Sequence, residues 1–222
     1  MELFDDWLQT TAFRDLAQFK AARFTGEEAM RALAVLATVD DPTVASVAAK
    51  LRKEGRRIKR LFGFLEQLFV LHRIDPHPIS TGKPNYYLCD VALARFLGAP
   101  FERQIETWFL HEQLAQRAYR METGIELSFF RNTKGNRVHF IITDRKHPKR
   151  AHALKLLFSE KYDAREAEIL HSVDKRLQRE GIEVDKLFLG PSDFHLKKEG
   201  LRSFRWESGA WLFQARNLKS RP

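Results

Sequence analysis

Seven cations crowd into residues 50–60: Lys50, Arg52, Lys53, Arg56, Arg57, Lys59 and Arg60, opposed by Glu54 alone. The chemistry open to such a run is phosphate recognition, in which ammonium and guanidinium groups neutralise a polyanion and release its counterions. A second concentration, Arg145, Lys146, Lys149, Arg150 and Lys155, lies within "GNRVHFIITDRKHPKRAHALK", and Lys83 sits in a polar stretch between the two. The formal net charge of +9 and an isoelectric point near 9.8 agree with a polyanionic partner. The competing interpretation of any charge run is a solvated face or hairpin tip.

Signatures of other chemistry are incomplete. "HEQLAQ" at 111–116 starts like a zinc protease motif, but Ala115 stands where the second histidine is needed. "STGKPN" is not a nucleotide-phosphate loop, because Pro84 replaces the Ser/Thr hydroxyl and no glycine precedes Gly82 at the required spacing. There is no Gly-x-Ser-x-Gly, and no partner is evident for Cys89. A single cysteine cannot form an intramolecular disulfide, which suits a reducing cytoplasm. The start, "MELFDDWLQ", is acidic where a signal peptide is basic, and no apolar run is long enough to span a bilayer. The expectation is a cytoplasmic protein with no cofactor, no metal and no membrane contact.

The basic run needs elements to present it. Leu3, Phe4, Trp7, Leu8, Leu16 and Phe19 predict an amphipathic helix over 2–20. Thr25 with Glu28 reads as a capping box for a second helix carrying Met30, Leu33, Ala34 and Leu36. Asp40-Asp41-Pro42 breaks it, and a short helix follows with Val44, Val47, Ala48 and Leu51 inward. A turn at 53–55 leads to a longer helix over about 56–69, with Ile58, Leu61, Leu65 and Leu68 inward. Two β-type runs, 70–74 and 85–89, then predict a hairpin with a loose tip. Helices, a basic last helix and a hairpin follow the order of a winged helix-turn-helix, with the cations where DNA contacts are made. Winged helices also dock on proteins.

Past Asp90, an N-cap for a short helix ending at Gly98, the pattern changes. A long helix carries Phe101, Ile105, Trp108, Phe109 and Leu114 toward a core. The period then switches to two, giving three strands. Asp163 with Glu166 reads as a capping box for a helix with Ile169, Leu170, Val173 and Leu177 inward, followed by a strand. "LRSFRWESGAWLF" reads as a terminal hairpin turning at Ser208-Gly209, between Trp206 and Trp211. The predicted class is α+β: a helical winged helix-turn-helix domain over 1–98, a second α/β domain over 99–216, and a basic tail over 217–222.

Landmarks along the chain carry a resemblance. "SVAAKL", "LFGFLEQLFVLHRI", "GKPNYYLCDVALARFLG", "PFERQIETWFL" and "FFRNTKGNRVHFII" occur in the order and spacing of one family. From about residue 7 to at least residue 177 the chain resembles the C-terminal region of unknown function that follows the ATPase module in a large prokaryotic AAA+-type ATPase family. That resemblance implies a winged helix followed by a restriction-endonuclease-like domain, here without the motor. It also implies an ATPase partner in cis or trans.

In that nuclease fold, clustered carboxylates hold Mg²⁺ and a lysine positions or activates water. The resemblance places the helix carboxylate at Glu102 and a second acidic position at Trp108. It places the first-strand Asp at His139, and the Glu and Lys of Glu-x-Lys at Ala153 and Lys155. The central acids are missing, and strand alternation points His152 and Asp144 away from the positions they would have to fill. An alternative is that His139, Glu102 and another histidine hold a softer metal. The expectation is a degenerate, non-catalytic nuclease-like domain that binds duplex DNA and can self-associate. The alternatives are a protein-docking regulatory module acting with an ATPase, and a metal-dependent nuclease with relocated ligands.

Overall fold

The computed structural model describes residues 24–119, 121, 124–160, 164–192 and 200–209, together with 6 and 10. The helix expected over 2–20, the Asp163 cap, Trp211 and the basic tail lie outside these residues. The described residues form a mixed α/β protein with seven helices and seven strands. It divides into two compact units, Met1–Ile74 with Lys83–His111, and Asp75–Gly82 with Glu112–Pro222. The sequence alone suggested a division after residue 98. No helix among the described residues is long and apolar enough to cross a membrane.

The first unit contains helices α1 (Gly26–Thr38), α2 (Val44–Leu51) and α3 (Gly55–Gln67). Each of the first two begins at a threonine: Thr25 accepts a bond from the Glu28 N–H, and Thr43 from the Ser46 N–H. Helix α2 ends with Arg52 in the left-handed region at φ 53°, and the chain re-enters helix within three residues. Strands β1 (Leu71–Pro76) and β2 (Asn85–Leu88) pair antiparallel, with Leu71 opposite Leu88 and Ile74 opposite Asn85. Leu33, Leu36, Val47, Ile58, Leu61, Leu65, Leu71 and Leu88 fill one core. Each fully buried aliphatic side chain contributes about 1.5–3 kcal/mol. Asp90 caps α4 (Val91–Phe96) through the Leu93 N–H.

Helix α5 (Phe101–Tyr119) is divided between the units at His111. Its Arg103 is buried against Glu106 at 3.0 Å, and it donates to the carbonyls of Val39 and Asp40. The Tyr87 hydroxyl donates to the same Glu106 carboxylate. This buried ion pair anchors the α1–α2 connection to the start of α5. An i,i+3 pair on a long helix gives no hint of that in the sequence.

In the second unit, β3 (Ile125–Arg131), β4 (Arg137–Asp144) and β5 (Arg150–Leu156) form an antiparallel meander. Helix α6 (Ala164–Arg179) then crosses over to β6 (Glu183–Gly190), which lies parallel to β5. Helix, three strands, helix, strand is the order the sequence predicted. The end of β1, Asp75 and Pro76, adds a parallel pairing on β3.

Two local expectations fail. The hairpin tip is not loose, because Ser80 and Thr81 hydrogen-bond to the Arg131 backbone and a side chain at Gly82 would strike the Phe129 ring at 2.9 Å. Nor, among the described residues, does the chain turn as a hairpin at Ser208-Gly209. Strand β7 (Leu201–Arg205) pairs parallel with β6, and the chain turns helical in α7 (Trp206–Gly209). The Trp206 indole N–H is held by the Leu157 and Leu189 carbonyls, both at 3.1 Å, which fixes the chain at the strand ends.

Candidate nucleic-acid interface

Helix α3 sorts the basic run by face. Ile58, Leu61, Phe62 and Leu65 point into the core. Arg56, Lys59 and Arg60, with Gly63 and Gln67, follow the opposite stripe at helical spacing, and the three cations are exposed. None of these three has an ion-pair partner among the described residues. Lys50, Arg52 and Lys53 flank them, exposed, around the α2–α3 turn.

Arg57 departs from the expected set. Its Nε and Nη2 donate to Oε1 and Oε2 of Glu28, both at 2.6 Å, and its guanidinium lies 5.2 Å from the Phe24 ring centre. The hydrogen bond from Arg57 holds the Glu28 carboxyl below the usual carboxylate range, and the same bond raises Arg57. Glu28 therefore does two things: it closes the predicted capping box through the Thr25 backbone N–H, and it ties α1 to α3 through Arg57. Arg57 is structural.

The start of α3 is unusual electrostatically. Its N-cap, Glu54, makes no side-chain capping bond, and the first turn holds no acid. Arg56 and Arg57 occupy that turn, at the positive end of the helix dipole, where cations are disfavoured. The other helices of the first unit that show a cap, α1, α2 and α4, are capped by Thr25, Thr43 and Asp90.

The second basic group splits in two. Arg145, Lys146, Lys149 and Arg150 are exposed at the β4–β5 turn. Arg145 pairs with Glu126 at 2.5 Å, and Arg150 with Glu183 at 3.3 Å, through exposed side chains. Lys155 does not join them. It lies five residues further along β5, about 16 Å at strand rise, and it is buried. Its ammonium pairs with Glu166 of α6 at 2.5 Å and donates to the Arg137 carbonyl at 3.0 Å. The grouping of Lys155 with the basic turn, read from the sequence, is corrected. Lys83 is exposed in the first unit.

The nuclease-like positions lie as follows. Ala153 is fully buried in an apolar cluster with Ile141, Leu170 and Val173. Lys186, its neighbour in register on β6, pairs with Asp174 of α6 at 2.7 Å. His139 is buried, and its Nδ1 accepts the Leu156 N–H at 3.0 Å. Glu102 is exposed in the first turn of α5, in the other unit. His152 and Asp144 line the opposite side of the sheet, as alternation predicts, in a cleft of about 310 Å³. There the Asp185 carboxylate lies 3.2 Å from His152 Nδ1 and pairs with Arg202 at 2.9 Å, and its interaction with His152 holds its carboxyl below the usual range. Among the described residues no group of three or more His, Cys, Asp or Glu side chains could hold a metal ion. Burial pushes the Cys89 thiol up to about 11, so it stays protonated near neutral pH.

Comparison with models of known families, with curated proteins and with solved structures finds no match to this chain.

Proposed function

We propose that this chain is a non-catalytic duplex-DNA-binding protein, with a winged helix-turn-helix in its first unit and a degenerate restriction-endonuclease-like domain in its second. The observation that carries the reading is the outer stripe of α3. Arg56, Lys59 and Arg60 stand exposed on one face, on a helix whose first turn holds cations and whose N-cap, Glu54, makes no side-chain capping bond. A phosphate at that end would accept from the free N–H groups and offset the cations. A helix of 13 residues, about 20 Å long, also fits the major groove.

For the second unit, support comes from the element order and from the fate of the catalytic positions. Ala153 lies beneath α6, and Lys155 is engaged by Glu166 rather than offered to water. Docking on an ATPase, in cis or trans, is the competing proposal drawn from the family resemblance.

Binding to a labelled duplex, measured against salt, tests the reading. Affinity falls steeply with salt, and Arg56→Gln/Lys59→Gln/Arg60→Gln flattens the log–log slope by about one unit for each phosphate no longer neutralised. No binding at low salt, or an unchanged slope in the triple variant, sinks it.

A further inference from the structure

Helix α3 breaks two local rules at once. Gly63 lies in its interior, where glycine is less favourable than alanine by roughly 1 kcal/mol. Nothing among the described residues asks for that glycine. A Cβ built there meets nothing within 4 Å, and the backbone needs no positive φ. The position belongs to the same outer stripe as Arg56, Lys59 and Arg60.

Six residues on, the reverse exchange occurs. Phe69 follows the end of α3 with φ 58°, the left-handed conformation that glycine normally takes there. Its N–H bonds to the Glu66 carbonyl, and the Val70 N–H to the Leu65 carbonyl, closing the helix end. The Phe69 side chain is 77% exposed. The position thus combines a strained backbone with a bare aromatic ring, where glycine would remove both. Costs left standing in a well-packed helix point to a surface used for something else.

We propose that Gly63 and Phe69 shape α3 for close contact with duplex DNA. The missing side chain at 63 lets the helix backbone approach the groove, and Phe69 supplies an apolar contact at the helix end. This inference rests on the reading of α3 as the DNA-contacting helix. Charge favours that occupant, because the cations flanking Gly63 carry no acidic partner among the described residues.

Gly63→Ala, Gly63→Gln and Phe69→Gly leave the net charge unchanged and separate folding from binding. Each variant melts at or above the wild-type temperature, with a rise of about 2–4 °C for Gly63→Ala. Gly63→Gln and Phe69→Gly bind duplex DNA at least about fivefold more weakly, a coupling of about 1 kcal/mol, with the salt slope unchanged. Wild-type affinity in either variant overturns the inference, as does a lower melting temperature for Gly63→Ala. So does disruption of self-association or of a protein complex while duplex affinity is kept. The two failures are distinguishable. If the wild type binds, Arg56→Gln/Lys59→Gln/Arg60→Gln does not, and Gly63→Gln or Phe69→Gly binds as tightly as the wild type, the DNA reading stands and only the shaping role falls. If the wild type does not bind at all, the underlying reading fails first.

Discussion

Arg57 meets Glu28 through two hydrogen bonds of 2.6 Å, while Arg56, its neighbour in the chain, reaches no acid among the described residues. A rotation of about 100° along a helix turns one cation into a brace and leaves the other as a surface charge. Composition cannot tell them apart. Arg57→Met is therefore expected to lower stability by about 0.5–1 kcal/mol, near the top of the range for partly exposed pairs because Glu28 is the better buried partner. Its duplex affinity should stay within about threefold of wild type, because its guanidinium is held by Glu28. Arg56→Met should do the opposite. Urea unfolding and duplex titration on the two variants check both halves.

Acid should erase that difference. The Glu28 carboxyl is held low by its bond to Arg57, so the pair's contribution is full above the unfolded carboxylate pKa and is lost as pH falls through the folded one. The stability gap between wild type and Arg57→Met should narrow from about pH 5 to about pH 3. A gap that widens in that interval would show that another group supplies it.

Acids placed at the positions that the nuclease resemblance assigns should not produce cutting. Ala153 is fully buried beside Leu170 and Val173, and Lys186, the nearest cation in register, is already held by Asp174. A glutamate there brings an uncompensated charge into an apolar interface, at a cost of about 3 kcal/mol or more. His139→Asp/Ala153→Glu should unfold earlier in urea and show no Mg²⁺-dependent plasmid cleavage. A folded double variant that cleaves would contradict the packing described for this face.

Lys155 and Glu166 should respond unequally to truncation. The lysine side chain is 8% exposed and the glutamate 33%. Glu166→Ala leaves a buried ammonium with only the Arg137 carbonyl, costing about 2–3 kcal/mol. Lys155→Met leaves a carboxylate that water can reach, and costs about 1 kcal/mol or less. Comparing the two midpoints in urea decides the order, and the reverse order would mean that Lys155 is solvated in solution.

Much of this chain is written locally. Thr25, Thr43 and Asp90 sit at helix starts because a side-chain oxygen there satisfies a free backbone N–H, and residue type alone announces it. The order of helices and strands follows from apolar periodicities of 3.6 and 2. Alternation also placed His152 and Asp144 on the opposite face from Ala153. What the sequence could not decide was which charges would meet. Arg57 with Glu28, Lys155 with Glu166 and Arg103 with Glu106 are each set by helix rotation or by the approach of a separate element. The Trp206 indole likewise meets carbonyls of Leu157 and Leu189, which are distant in the chain. The inventory of charges and periods was present in the chain, while the division of cations into braces and free surface required the fold, since pairing depends on distance in space.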